Sequence, residues 1–160
     1  MVPFIHITHA ALADAEAILI LQKRAYEAEA RLYQDWRLPP LLQSIESLRE
    51  EIQTSRVLKA SQGGHIIGSV RARLEADVAH IGRLIVAPEH QRQGLGSRLL
   101  DAIEAVCPEA RIFILFTGSK SEGNLRLYQR HGYRITREEA LSPAVTLCFL
   151  AKPAGDHAQP

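Results

Sequence analysis

At 160 residues, 46% of them apolar, the chain suffices for one domain around a single core. A net charge of +1, with Lys and Arg scattered among Asp and Glu, leaves no basic tract for nucleic acid or an anionic membrane surface. Cys107 and Cys148 lack metal-ligand spacing and are expected to be small buried apolar groups in a reducing compartment; with no secretory-type leader and no apolar stretch of membrane-spanning length, the expected location is the cytoplasm.

In chain order, Phe4-Ile5-His6-Ile7 reads as a first strand. From Asp14 an apolar stripe of Ile18, Leu19, Leu21, Ala25 and Ala28 predicts a helix to about Leu32. Pro39 and Pro40 then forbid helix continuation. Ser44 is placed to cap a further helix that buries Ile45, Leu48 and Ile52; a start one turn later would make Ser47-Leu48-Arg49-Glu50 a capping box. Arg56–Ala60 and His65–Arg73 read as strands of a hairpin turning at Gln62-Gly63-Gly64. Val78–Val86 is the next strand, and Leu99, Leu100, Ile103 and Val106 give the helix after it one apolar face. Arg111–Phe116 is almost uniformly apolar, as for a strand covered on both sides. A helix around Tyr128 and strands at 133–136 and 144–150 complete the domain, expected over 3–152. Residues 153–160, polar and bearing Pro and Gly, are expected to form a disordered tail.

The chemistry is concentrated where the Val78–Val86 strand meets Ala87-Pro88-Glu89-His90-Gln91-Arg92-Gln93-Gly94-Leu95-Gly96-Ser97. A polar loop opening an amphipathic helix through two glycines offers unpaired backbone N–H groups and a positive dipole end, which suits a pyrophosphate. A Walker loop would end in Gly-Lys-Ser/Thr, whereas Gly96 precedes Ser97-Arg98; a dinucleotide fingerprint would need a third small residue where Leu99 stands. Gln91-Arg92-Gln93-Gly94-Leu95-Gly96, with Leu84-x-Val86-x-Pro88 before it, resembles the acyl-CoA loop of the GNAT N-acetyltransferase superfamily. Asn124-Leu125-Arg126-Leu127-Tyr128 followed by Gly132-Tyr133 resembles that superfamily's second signature. Asn124 and Tyr128, four apart, project from one helix face.

This resemblance covers most of the chain and implies an α/β (α+β) GNAT fold. Its central sheet is mixed but mostly antiparallel, with roughly six or seven strands flanked by about four helices. It implies acetyl-CoA as acyl donor, no metal, and transfer to a primary amine of a small molecule or peptide by direct attack in a ternary complex. By resemblance, Leu84, Ile85 and Val86 pair with the pantetheine arm, and Gln91, Arg92, Gln93, Gly94, Leu95, Gly96 and Ser97 surround the pyrophosphate. Asn124 helps hold the cofactor arm, and Tyr128 protonates the departing thiolate. His80 occupies the strand on which some lysine-acetylating members carry a Glu base, and an imidazole titrating near 6.5 suits that task. Glu75 and Glu27 are alternatives. For the acceptor, Tyr33, Trp36 and Glu27 are the candidates, with Glu29 also at the cleft rim. The contrasting reading is a catalytically silent acyl-CoA-binding sensor or interaction module, against which the retained Tyr128 weighs. The Ile135–Ser142 segment and an apolar terminal strand (Val145, Leu147, Phe149) allow a homodimer.

Overall fold

The computed structural model describes residues 4–155. Seven strands form one sheet in the order β1-β2-β3-β4-β5-β7-β6. They are β1 (Ile5–His9), β2 (Arg56–Gln62), β3 (His65–Glu75), β4 (Val78–Val86), β5 (Ile112–Gly118), β6 (Arg134–Ser142) and β7 (Val145–Pro153). The helices are α1 (Ala15–Tyr33), α2 (Pro39–Leu42), α3 (Ile45–Thr54), α4 (Leu95–Ala105) and α5 (Glu122–Arg130). Every pairing is antiparallel except β4 with β5, which run parallel over three rungs, Val78 to Ile112 through His80 to Ile114. Beyond His80 the two strands part, and the site lies in the gap.

Local rules account for most of the elements. Gly63 and Gly64 turn the β2–β3 hairpin with φ of 57° and 81°, the left-handed pair such a turn requires. Ser44 caps α3 by accepting from the Ser47 N–H at 3.1 Å, so the simple cap prevails over the later box. Helix α1 stops at Tyr33 because Gln34 adopts a left-handed cap (φ 53°). The prolines beyond it do not merely exclude helix: Pro39 and Pro40 open the single turn of α2, where a missing N–H costs nothing.

Alternation along β3 sends successive residues to opposite faces. Val70 and Ala72 join the main core with Leu99, Leu100 and Ile103 of α4, and Gly68 is obligatory on that face because a Cβ there would lie 2.9 Å from Leu99. On the other face, Val57 packs with Ala15, Ile18 and Leu48 of α1 and α3. Directly opposite Val57 lies Arg71, 5% exposed. Its guanidinium is held by Gln22 of α1, by Gln43 at 3.1 Å and by Glu51 of α3 at 2.5 Å. Burial with Arg83 nearby lowers the Arg71 pKa, which the Glu51 carboxylate opposes. This network binds the first three helices to the sheet; a buried charge persists only when so surrounded.

Three expectations are corrected. Strand β5 is not covered on both sides: Phe113 and Leu115 are buried, but Phe116 is 48% exposed where the sheet splits. Strand β7 is not an apolar edge, because β6 pairs along it and forms the edge with an exposed, charged strand. Nor does a tail start at 153: Pro153 pairs with Ile112 and the Ala154 N–H donates to the Arg111 carbonyl at 2.8 Å. The remainder of that segment, 156–160, lies outside the described residues, as does residue 3 at the other boundary. Cys107 and Cys148 are buried free thiols, as expected.

Candidate active site

Two clefts meet in the gap between β4 and β5. The first, of about 450 Å³, is bordered by Leu84, Ile85 and Val86 of β4, by the loop into α4, and by Gly123, Asn124, Leu127 and Arg130 of α5. Its loop is shaped by two left-handed residues, Arg92 (φ 63°) and Gly94 (φ 81°). The first helical donor of α4 is the Arg98 N–H, bonded to the Gly94 carbonyl at 3.1 Å, so the amides of Leu95, Gly96 and Ser97 precede the ladder. That end presents three amides outside the ladder together with the positive end of the helix dipole, chemistry that suits an anion. The Gln91 side-chain amide donates to the Val86 carbonyl at 3.2 Å, tying loop to strand.

The two glycines differ. A Cβ on Gly94 would meet only open space, so its requirement is the positive φ and a clear approach for a ligand. A Cβ on Gly96 would lie 3.4 Å from Leu127 of α5, an ordinary packing distance that does not itself require glycine. Gln91, Arg92, Gly94, Gly96, Ser97 and Asn124 all border the cleft as the sequence led us to expect. Gln93 does not border the cleft, and the Leu95 side chain is buried in the core.

The second cleft, of about 260 Å³, is mostly apolar: Leu38 from the α1–α2 connection, Pro39 and Pro40 from α2, Phe116 from β5, and Leu141, Val145 and Leu147 from the β6–β7 hairpin. Tyr26, Glu29 and Tyr33 reach it from α1, and Arg83 from β4. Tyr26 and Glu29 border both clefts. A hydrogen-bonded chain ends at Glu29. The Lys120 N–H donates to the Tyr33 hydroxyl (2.8 Å), which lies 3.0 Å from Ser121 Oγ, and Ser121 Oγ donates to Glu29 Oε2 (2.8 Å). Because Ser121 gives its only proton to Glu29, the Tyr33 hydroxyl donates to Ser121. Gly118 makes this possible, since a Cβ there would fall 1.9 Å from the Tyr33 hydroxyl.

Of the acceptor-side candidates, the fold brings Tyr33 and Glu29 to the second cleft, and not Trp36 or Glu27. Trp36 is 55% exposed and borders neither cleft. Glu27 points to solvent beside Arg31 of the next turn (3.7 Å), two residues and about 200° of helix from Glu29. His80 also borders neither cleft; its Nε2 lies 3.5 Å from Glu75 Oε1. Tyr128 is 6% exposed, packed against Tyr133 with ring centroids 6.0 Å apart, and is not part of either cleft wall. Burial, with Tyr26 and Glu29 adding to it, pushes its phenol far above the ordinary range. Sequence reasoning passed over Tyr26, although Tyr26, Glu29 and Tyr33 recur at three and four residues, the spacing of one helix face. It also passed over Arg83, whose placement depends on a bulge without a sequence signature.

Among the described residues, no three His, Cys, Asp or Glu side chains converge as a metal site, and no helix is long and apolar enough to cross a membrane. Residues 16–133 match the acetyltransferase (GNAT) family. The structure resembles PaiA N-acetyltransferase from Thermoplasma acidophilum in complex with coenzyme A, with a TM-score of 0.78 and 18% identity over 94% of this chain and 99% of that one. It also resembles YncA from Salmonella typhimurium with its cofactor acetyl-CoA (TM-score 0.74, 20% identity, 98% and 97% coverage). A third likeness is to a GNAT-family acetyltransferase from Streptococcus pneumoniae (TM-score 0.75, 16% identity, 95% and 100% coverage). With that family matched over most of its length and that fold complete from β1 to β7, this chain belongs to the GNAT family of acyl-CoA-dependent N-acyltransferases.

Proposed function

We propose that the protein transfers an acetyl group from acetyl-CoA to a primary amine within a ternary complex. The observation that carries this reading is the common wall: Tyr26 and Glu29 border both a loop-built anion cleft and a separate apolar cleft. A donor held in one and an amine held in the other meet at that wall, which favours direct attack through proximity.

The thioester supplies an acyl carbon that an uncharged amine can attack. The residues of the chain do the rest. The amides of Leu95, Gly96 and Ser97 hold the pyrophosphate, and the open edge of β4 at Leu84–Val86 aligns the pantetheine arm. Glu29, already accepting from Ser121 on Oε2, uses Oε1 to receive a proton from the acceptor ammonium. This assigns to Glu29 the task that His80 was expected to perform. Tyr128, kept protonated by burial, gives its proton to the thiolate; its electrostatic neighbours Tyr26 and Glu29 stand on the wall where the thiolate would form. As the N–C bond forms the C–S bond breaks. Of the two protons the ammonium loses, one balances the thiol and one leaves to solvent.

Calorimetric titration with acetyl-CoA, beside the Gly94→Glu variant, tests the reading. Binding of one ligand per chain, weakened at least about 100-fold in the variant by a carboxylate facing phosphate, is the expected result. Absence of binding by the wild type overturns it. Acetyl-CoA binding without transfer to any amine in a broad panel would favour the silent binding module instead.

A further inference from the structure

Arg83 is the least satisfied charged residue of the acceptor cleft. Its Nε is buried with no hydrogen-bond partner, and among the described residues no carboxylate pairs with its guanidinium. Arg71, on the neighbouring strand, also buries an Nε without a partner, but its two terminal nitrogens bond to three side chains, whereas no side-chain bond is made by any nitrogen of Arg83 among the described residues. A half-buried guanidinium left without partners is costly unless something else supplies them.

The backbone explains how Arg83 reaches the cleft. Ile81 and Ile85 are buried in the main core, so strict alternation would place residue 83 there too. Instead the β3–β4 register slips between Ser69/Ile85 and Arg71/Gly82, and Arg83 takes a left-handed φ of 49°. The bulge redirects the side chain from the core into the acceptor cleft. Among the described residues bordering that cleft, Arg83 is the only cation and Glu29 the only anion; the rest of the wall is largely apolar. Burial raises the Tyr26 phenol on the same cleft, and Arg83 and Glu29 act on it with opposite sign.

We infer that the acceptor is an amine that also carries a carboxylate close to it and an apolar body: an α-amino acid with an apolar side chain. Arg83 receives the carboxylate as a bidentate or charge-assisted partner. Glu29 faces the ammonium and takes its proton, and the walls from Leu38 to Leu147 enclose the side chain. The inference rests on the acyltransfer reading and specifies its acceptor. Acetyl transfer then forms an amide N–C bond on the α-nitrogen and breaks the thioester C–S bond, with the proton balance already given. A polyamine suits this cleft poorly, since Arg83 would repel its second ammonium. A peptide amino terminus carries no carboxylate beside its amine.

The test measures thiol release from acetyl-CoA with L-leucine and L-phenylalanine against their decarboxylated analogues, 3-methylbutylamine and 2-phenylethylamine, and against leucinamide. We expect the amino acids to be preferred by about 100-fold in kcat/KM, chiefly through KM, as loss of a charge-assisted pair predicts. In Arg83→Asn, chosen because Asn tolerates the left-handed φ, the preference should collapse toward unity while acetyl-CoA still binds. Arg83→Gly, free of strain at that φ, should behave alike and guards against a folding defect peculiar to one variant. Wild-type transfer to the amines as efficiently as to the amino acids, or a preference that survives both variants, overturns the inference and leaves the acyltransferase reading standing. Transfer to none of these acceptors by a protein that binds acetyl-CoA overturns the inference, and the same failure across the broad amine panel overturns the acyltransfer reading as well.

Discussion

The donor cleft is built mainly from main chain, and the acceptor cleft from side chains. In the first, three amides at the start of α4 and a strand edge present main-chain chemistry that side-chain substitution leaves intact, and a left-handed Arg92 and Gly94 bend the loop. In the second, every property depends on which side chain a distant element delivers: Pro40 from α2, Phe116 from a strand end, Leu141 from a hairpin, Arg83 from a bulge. A backbone-built site suits a ligand that never changes. A site of side chains can be altered residue by residue, so specificity resides there while the donor is kept.

The largest effect that would break this division is expected from Glu29→Gln and Tyr128→Phe. If Glu29 on the shared wall and the buried Tyr128 behind it carry the proton traffic, each lowers kcat by about 100-fold with little change in acetyl-CoA affinity, measured by steady-state kinetics beside calorimetry. A matching loss in Tyr26→Phe but not Tyr128→Phe would move the thiolate's acid to the cleft wall. Next comes Gly118→Ala. Its methyl group would collide with the Tyr33 hydroxyl, so we expect about 1–3 kcal/mol of destabilisation by denaturant titration and a weakened acceptor KM. Stability unchanged would mean the Lys120–Tyr33–Ser121–Glu29 chain shifts without strain. Trp36→Ala sharpens the comparison from the other side: being exposed and outside both clefts, it should change kcat/KM by less than about 2-fold.

The smallest effect lies far from either cleft. Arg56 donates to both carboxylate oxygens of Glu109 (2.8 and 2.6 Å), which holds the Glu109 carboxyl at about 2, below its usual 4.5. A depressed pKa stabilises the fold above the unfolded value and ceases to as pH falls through the folded one. The melting-temperature difference between wild type and Glu109→Gln should therefore be steady from neutrality to about pH 4.5 and vanish near pH 2. For an exposed pair the difference should be small throughout.

What the sequence revealed divides along the same line. The turn at Gly63-Gly64, the cap at Ser44, the strand Val78–Val86 and the glycines of the α4 loop were legible because each follows from neighbours within a few residues. The donor cleft inherits that legibility. The acceptor cleft does not, because position there is decided by tertiary contacts. Glu27 and Glu29 are equivalent as letters, and only the rotation of α1 on the sheet sends one to Arg31 and the other to Ser121. Trp36, the most conspicuous aromatic in its connection, lies outside, whereas Tyr33 is anchored by a glycine eighty-five positions on, at 118. Arg83 hid for another reason: alternation assigns it to the core, and nothing local announces the bulge that reverses it.

The three-rung seam between β4 and β5 makes the sheet two plates joined along a narrow line, β1 to β4 on one side and β5 to β6 on the other. A molecule lying in the gap would act as mortar between them, completing hydrogen bonds that neither plate can make alone. Cofactor concentration then becomes a determinant of how long the protein survives, not only of how fast it works. At a hundred times its dissociation constant a ligand that binds only the folded state adds about 2.7 kcal/mol of stability. Loss of the bound ligand would thus loosen this fold along one line.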